Sequence, residues 1–147
     1  MEIINEVNIS FFFYFSNESY ARVAVASFFT QLDPTVDEIT DIKTAVSEAV
    51  TNCIVHAYRN TVGKIYITAR ILDGQYVYIK IRDKGCGISD IKRAMEPMYT
   101  TAQEEERAGL GFAVMQTFMD KVRVTSQPYK GTTVTMFKKI RSRNQNA

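Results

Sequence analysis

The strongest constraint on this chain is a pair of alternating apolar runs joined by Asp73-Gly74. Ile65, Ile67, Ala69 and Ile71 alternate with Tyr66, Thr68 and Arg70; Val77, Ile79 and Ile81 alternate with Tyr78, Lys80 and Arg82. A period of two gathers each apolar set on one face of a strand. Asp-Gly between two such strands is a hairpin signal. The hairpin therefore has one apolar face, which needs a covering layer. Two helical patterns precede it. The first is capped by Ser16 or Asn17 and runs to about Gln31. Leu32-Asp33-Pro34-Thr35 breaks it, and Pro34 suits the opening of the next helix, which runs to about Tyr58. There Val36, Ile39, Ile42, Val46, Ala49, Val50, Cys53 and Ala57 recur at helical spacing, so one face is core.

The remaining segments complete a sheet. Glu6–Phe15 reads as a strand, with Val7, Ile9, Phe11, Phe13 and Phe15 on one face and Phe12 and Tyr14 on the other. A strand apolar on both faces wants cover on both. A helix on one side and a chain segment on the other satisfies that, and so does a subunit interface. Beyond the hairpin come a glycine-flanked loop at Gly85-Cys86-Gly87, a short helix at Asp90–Glu96 stopped by Pro97, and a polar loop at Met98–Ala108. A helix at Gly109–Met119, a strand marked by Val122 and Val124, a turn at Pro128–Gly131 and a strand at Thr132–Phe137 follow. This order predicts a two-layer α/β (α+β) sandwich: a mixed, mostly antiparallel sheet with helices on one face. A chain of 147 residues, 46% hydrophobic and 23% charged, fits one globular domain.

Charge and cysteines narrow the class. The formal net charge is +2, and no basic run precedes Lys138–Arg143, which reads as part of a solvated, flexible tail over 141–147. Without a basic stripe, nucleic acid is not an expected partner. Cys53 and Cys86 have neither metal nor redox spacing, as two free thiols in an intracellular protein would. Glu2 and Glu6 stand where a secretory signal would be basic, and Ile9–Phe15 is too short to span a bilayer. A cytoplasmic protein is expected, with no membrane partner.

Glu48 and Asn52 lie one turn apart on the second helix and point the same way, with His56 a turn further on. Alone, such a pair is ordinary surface. Asp83 shares the parity of Val77, Ile79 and Ile81, so it falls on the buried face, where an unpartnered carboxylate is costly. Either a neighbouring donor such as Thr132 resolves that, or a ligand does, for example an adenine amine. Gly85 and Gly87 permit close backbone approach, and Gly109 and Gly111 precede a helix whose free amides favour an anion. Each pair alone is more often a turn or a cap.

In order, these segments read Glu48-Ala-Val-Thr-Asn52, Asp83-Lys-Gly-Cys-Gly87, Gly109-Leu-Gly111 and Gly131-Thr-Thr133. The series resembles the GHKL, or Bergerat-fold, superfamily of ATPases and kinases; the phosphate-loop route to ATP, with its lysine, is absent. Asn17–Val23, Gln31–Thr35, Asp37-Glu38, Val46–Asn52, Glu106-Arg107 and Phe118–Asp120 make the chain similar to the sporulation anti-sigma-F kinases within it. That resemblance implies Glu48 as general base for phosphoryl transfer, Asn52 as magnesium ligand and Asp83 as reader of adenine. It implies Gly109 and Gly111 behind the phosphates, Met98–Ala108 as an ATP lid with Arg107 on a phosphate, and Thr132 or Thr133 beside adenine. Gly85, Gly87, Thr100, Thr101 and Leu110 complete the implied ATP/ADP site. Implied partners are a sporulation sigma factor and an anti-anti-sigma protein phosphorylated on serine. A homodimer is also implied, with Glu18 and Arg22 docking the partner. Read without the family, those two residues form a surface ion pair worth ~0.3–0.5 kcal/mol.

The chain departs from the family at Phe12-Phe13-Tyr14-Phe15, where polar residues are usual, at Lys84, usually acidic, and at Ala57 and Ala108. Cys86 reads as a tolerated small residue. Competing readings are a binding module without catalysis, a stress-response kinase of the same superfamily, and a histidine-kinase catalytic domain. Glu48 and Asn52 argue against the first. The lack of a separate phosphoacceptor hairpin argues against the last.

Overall fold

The computed structural model describes residues 1–53, 63–84, 103–127 and 130–141, except the side chains of 103–110. The expected short helix at Asp90–Glu96, His56, Ala57 and Cys86 lie outside them. Five strands form one sheet: β1 (Ile3–Phe12), β2 (Lys64–Leu72), β3 (Tyr76–Asp83), β4 (Lys121–Gln127) and β5 (Gly131–Lys139), in the order β1-β2-β3-β5-β4. Each described pairing is antiparallel. The described helices are α1 (Phe15–Phe29), α2 (Val36–Asn52) and α3 (Gln103–Phe118), with α2 touching both others.

The hairpin forms as its pattern dictates. Ile65, Ile67, Ala69 and Ile71 pair across to Asp83, Ile81, Ile79 and Val77, and this row is buried. Its turn is the three-residue loop Asp73-Gly74-Gln75, with Gly74 at φ 84° and Gln75 at φ 65°. Helices cover that face. Ala21, Val25 and Phe29 of α1, Ile42, Val46, Ala49 and Val50 of α2, and Phe112 and Met115 of α3 join the strands in one core. Each large apolar side chain removed from water contributes about 1.5–3 kcal/mol.

Several expectations shift. The first strand starts and ends earlier than Glu6–Phe15, because Tyr14 is already the extended residue before α1. Phe15 thereby leaves the core row and is 72% exposed, whereas Val7, Ile9, Phe11 and Phe13 pack on the core. Neither Ser16 nor Asn17 caps α1: both lie within it, and Asn17 turns its amide back to the Phe12 carbonyl at 2.6 Å. α1 ends at Phe29 and gives way to a tight turn at Thr30–Leu32. Val36 opens α2 on the outside instead of joining the core row. Lys138 is not in a solvated tail. It belongs to β5, donates to the Phe118 carbonyl at 2.9 Å and pairs with Asp41 at 3.5 Å. Ile140 beyond it is buried.

The largest correction concerns α3. The loop expected over Met98–Ala108 is helical from Gln103 onward, well before Gly109. Gln103-Glu-Glu-Glu-Arg-Ala is rich in strong helix formers, and acidic residues suit a helix's first turn. Their polarity masked that propensity in a reading that sought apolar period.

Candidate functional site

The site is built at the C-terminal end of α2. The start of that helix is fully satisfied. Thr35 accepts the Glu38 amide at 3.1 Å while Glu38 accepts the Thr35 amide at 2.9 Å, a reciprocal capping box. The other end carries the chemistry. Glu48 is half-buried, and burial, then the nearby Glu18 charge, raises its carboxyl above the ordinary value.

One turn on, the Asn52 amide lies against α3. A Cβ placed on Gly111 would come within 2.9 Å of Asn52 Nδ2, so a bare glycine is what lets the amide lie there. Asn52 Nδ2 is buried and has no hydrogen-bond partner among the described residues. Leaving a buried donor unmet costs about 1–3 kcal/mol. Such an orphan inside a polar site points to a ligand group that meets it.

Asp83 ends β3 on the buried face at 4% exposure. Its Oδ1 accepts the Thr132 amide at 3.2 Å, and its carboxylate meets the Cys53 thiol. Burial, then the Asp83 charge, pushes that thiol well up, so Cys53 is a proton donor here. Ser126 of β4 supports Thr132 with a 2.8 Å hydroxyl contact and donates to the Gly131 carbonyl at 3.1 Å. Gly131 has φ 104°, and a Cβ there would stand 2.2 Å from the Asp83 carbonyl oxygen. Glycine is therefore required where β5 passes the end of β3.

Of the residues singled out from sequence, the fold brings Glu48, Asn52, Asp83, Gly111 and Thr132 to the helix-covered side of the sheet. Thr133 does not join them. It pairs with Arg82 and Thr125, so strand alternation turns its side chain to the other face; at the end of the sheet it lines a cavity of about 520 Å³ together with Arg82, Lys84, Ser126 and Asp83. Gly109 and Gly111 are corrected too. They lie inside α3 and not at its start, so their amides are not among the free N-terminal amides expected to take an anion. Gly85, Gly87, Thr100 and Thr101 lie outside the described residues, as do the side chains of Arg107 and Leu110. Glu18 and Arg22 lie on α1, 3.7 Å apart. Glu18 also accepts the Ser47 hydroxyl.

Three participants escaped the sequence reading. Cys53 was assigned to the core by its spacing, and only the end of β3 gives it a polar neighbour. Ser126 becomes visible once β4 and β5 are in register, opposite Thr132. Ser47 stands beside Glu48, yet its partner is on another helix.

Among the described residues, three helices lie on one face of a five-stranded antiparallel sheet, with a polar site at the C-terminal end of the central helix. A family model described as a histidine kinase-like ATPase domain matches residues 17–138. The histidine kinase domain of the Erythrobacter litoralis EL346 blue-light activated histidine kinase shares the fold. Its TM-score is 0.59 at 19% identity, over 84% of this chain and 60% of that one. The Anti-sigma F factor of Caldanaerobacter subterraneus subsp. tengcongensis is 57% identical over 140 residues, covering 95% of this chain and 97% of that protein. The Anti-sigma F factor of Bacillus subtilis is 51% identical over 137 residues, covering 92% and 93%. The chain belongs to the histidine kinase-like ATPases and, within them, to the anti-sigma F factors.

Among the described residues no helix is long and apolar enough to cross a membrane.

Proposed function

We propose that this chain is a cytoplasmic, homodimeric anti-sigma factor that holds a sporulation sigma factor inactive. As an ATP-dependent serine kinase it also phosphorylates, and so inactivates, the anti-anti-sigma protein that opposes it. The relatives' name supports the first activity. One observation carries the second: the orphaned Asn52 amide lies one turn beyond a half-buried carboxylate and on the same side of the sheet as the buried Asp83.

In this reading Asp83 accepts the exocyclic amine of adenine. The Thr132 amide and Cys53 thiol already hold its carboxylate, and Thr132 is held in turn by Ser126. The triphosphate lies beside the Asn52 amide, which Gly111 lets rest against α3. The orphaned Nδ2 is a donor and would meet a phosphate oxygen, whereas the amide oxygen of the same side chain would hold magnesium, which keeps waters and substrate phosphates for its other positions. Bound there, magnesium would neutralise charge on the phosphates. Glu48 takes the proton of the partner's serine hydroxyl. The serine oxygen bonds to the γ-phosphorus, the bond from that phosphorus to the β-bridging oxygen breaks, and ADP leaves with the electron pair. The raised carboxyl suits a base that must both accept and release a proton. In this reading Glu18 and Arg22 dock the partner.

The test is the intact mass of both proteins after incubation with Mg-ATP. One phosphate on the anti-anti-sigma protein, absent with Glu48→Gln, is the expected result. Unmodified partner with ATP binding intact would overturn the kinase reading and leave sigma-factor capture as the activity.

A further inference from the structure

The seam between α1 and α2 holds a polar cluster beside the catalytic carboxylate. Ser47, the residue before Glu48, donates its hydroxyl to Glu18 of α1. Arg22, one turn further along α1, lies 3.7 Å from the same carboxylate and donates to Ser19 Oγ at 3.1 Å. Ser47, Glu48, Glu18 and Arg22 are all half-buried. Elsewhere this seam is apolar, with Ala21, Val25, Ala45 and Val46 buried, and apolar attraction is non-directional, giving no specific orientation to a polar side chain. A directional hydrogen bond supplies one.

We propose that Glu18 is a positioning residue for Glu48: through the Ser47 hydroxyl it fixes the stretch of α2 that carries the base, and with Arg22 it sets the charge around it. The inference rests on Glu48 being the base, and it deepens that reading by tying the partner-facing helix to the chemistry. Of the described charged groups, Glu18 acts on Glu48, and Arg22 stands 3.7 Å from Glu18; the buried α3 side chains Phe112 and Met115 carry no charge. The Glu18 charge is the second cause, after burial, of the raised Glu48 carboxyl. A partner group that engages Arg22 therefore uncovers the Glu18 charge and changes the field at the base. Docking and catalysis share one cluster.

The experiment measures kcat and KM for phosphorylation of the cognate anti-anti-sigma protein, with Mg-ATP saturating, in wild type, Glu18→Gln, Ser47→Ala, Ser47→Thr, their double variant and Glu48→Gln. A displaced catalytic group costs up to ~10²-fold, so Ser47→Ala should lower kcat between about tenfold and 10²-fold, while Glu18→Gln, whose amide oxygen still accepts the Ser47 hydroxyl, should lower it less. Ser47→Thr, which keeps the hydroxyl, should recover most of it. The double variant should be no worse than the poorer single one. The low-pH limb of kcat should move to lower pH in Glu18→Gln, a change that mere loosening of the helix does not produce. If Glu18→Gln and Ser47→Ala raise KM alone, with kcat and its pH profile unchanged, Glu18 only docks the partner and the inference fails. If Glu48→Gln keeps full kcat, the assignment of the base fails instead.

Discussion

The two ends of α2 differ in how completely they are satisfied. At the N-terminal end, Thr35 and Glu38 close a reciprocal cap, and the second Glu38 oxygen accepts the Arg141 amide at 2.7 Å. Thr40 and Thr44 bond back to carbonyls one turn earlier, each at 2.9 Å. At the C-terminal end a carboxyl is raised, an amide is orphaned and a thiol lies on a buried carboxylate. One end spends its polar groups on the fold. The other keeps a buried donor, Asn52 Nδ2, that no described residue meets. Local rules held at the first end and fail at the second, as is common where function is carried.

Four experiments would break or sharpen that contrast. The largest effect is expected at Glu48. Glu48→Gln should lower phosphoryl transfer by ~10²–10⁴-fold with ATP affinity preserved, read by partner phosphorylation and by nucleotide titration. A matching loss of ATP binding would make Glu48 a structural group and erase the contrast. Gly111→Ala comes next. The added methyl displaces the Asn52 amide, a flexible side-chain end, so the fold should hold or gain up to ~1 kcal/mol of helix propensity. Mg-ATP affinity should fall about tenfold, roughly 1.4 kcal/mol. Calorimetry and thermal unfolding separate the two effects, and unchanged affinity would remove Asn52 from the site.

Thr35→Ala addresses the other end. Loss of the cap should cost ~1 kcal/mol of stability and leave the KM for ATP unaltered. An altered KM would show that the two ends are coupled. The smallest effect is a pH dependence. The folded Glu48 carboxyl lies above its ordinary value of 4.5, so the native state binds its proton more readily than the unfolded chain. Ionising it therefore reduces stability as pH rises through that shifted value. Glu48→Gln should melt slightly higher than wild type at neutral pH, beyond any offset between them at low pH, and the excess should vanish below pH 4.5. A gap independent of pH would assign the difference to packing.

Much of the fold was legible because its signals are local. The hairpin at Asp73-Gly74 and the core row of α2 follow from period and turn chemistry. The start of α3 was misread, since Gln103–Ala108 declares itself by propensity and carries no apolar stripe. The site divided along similar lines. Glu48, Asn52, Asp83 and Thr132 were marked by helical spacing, strand parity and motif order. The resemblance left Thr132 or Thr133 open; alternation sends adjacent strand residues to opposite faces, and Thr132 is the one whose amide meets Asp83.

The sequence by itself determined which residues share a helix face or a strand face, because periods of 3.6 and 2 are properties of the backbone. It thereby determined that a carboxylate would be buried at the end of β3 and that Glu48 and Asn52 would point the same way. Only the tertiary structure decided what those groups meet. Cys53 reaches Asp83, Ser126 reaches Thr132, Ser47 reaches Glu18 and Gly111 makes room for Asn52. Each contact joins separate elements, and its existence depends on strand register and helix packing, which no local period encodes.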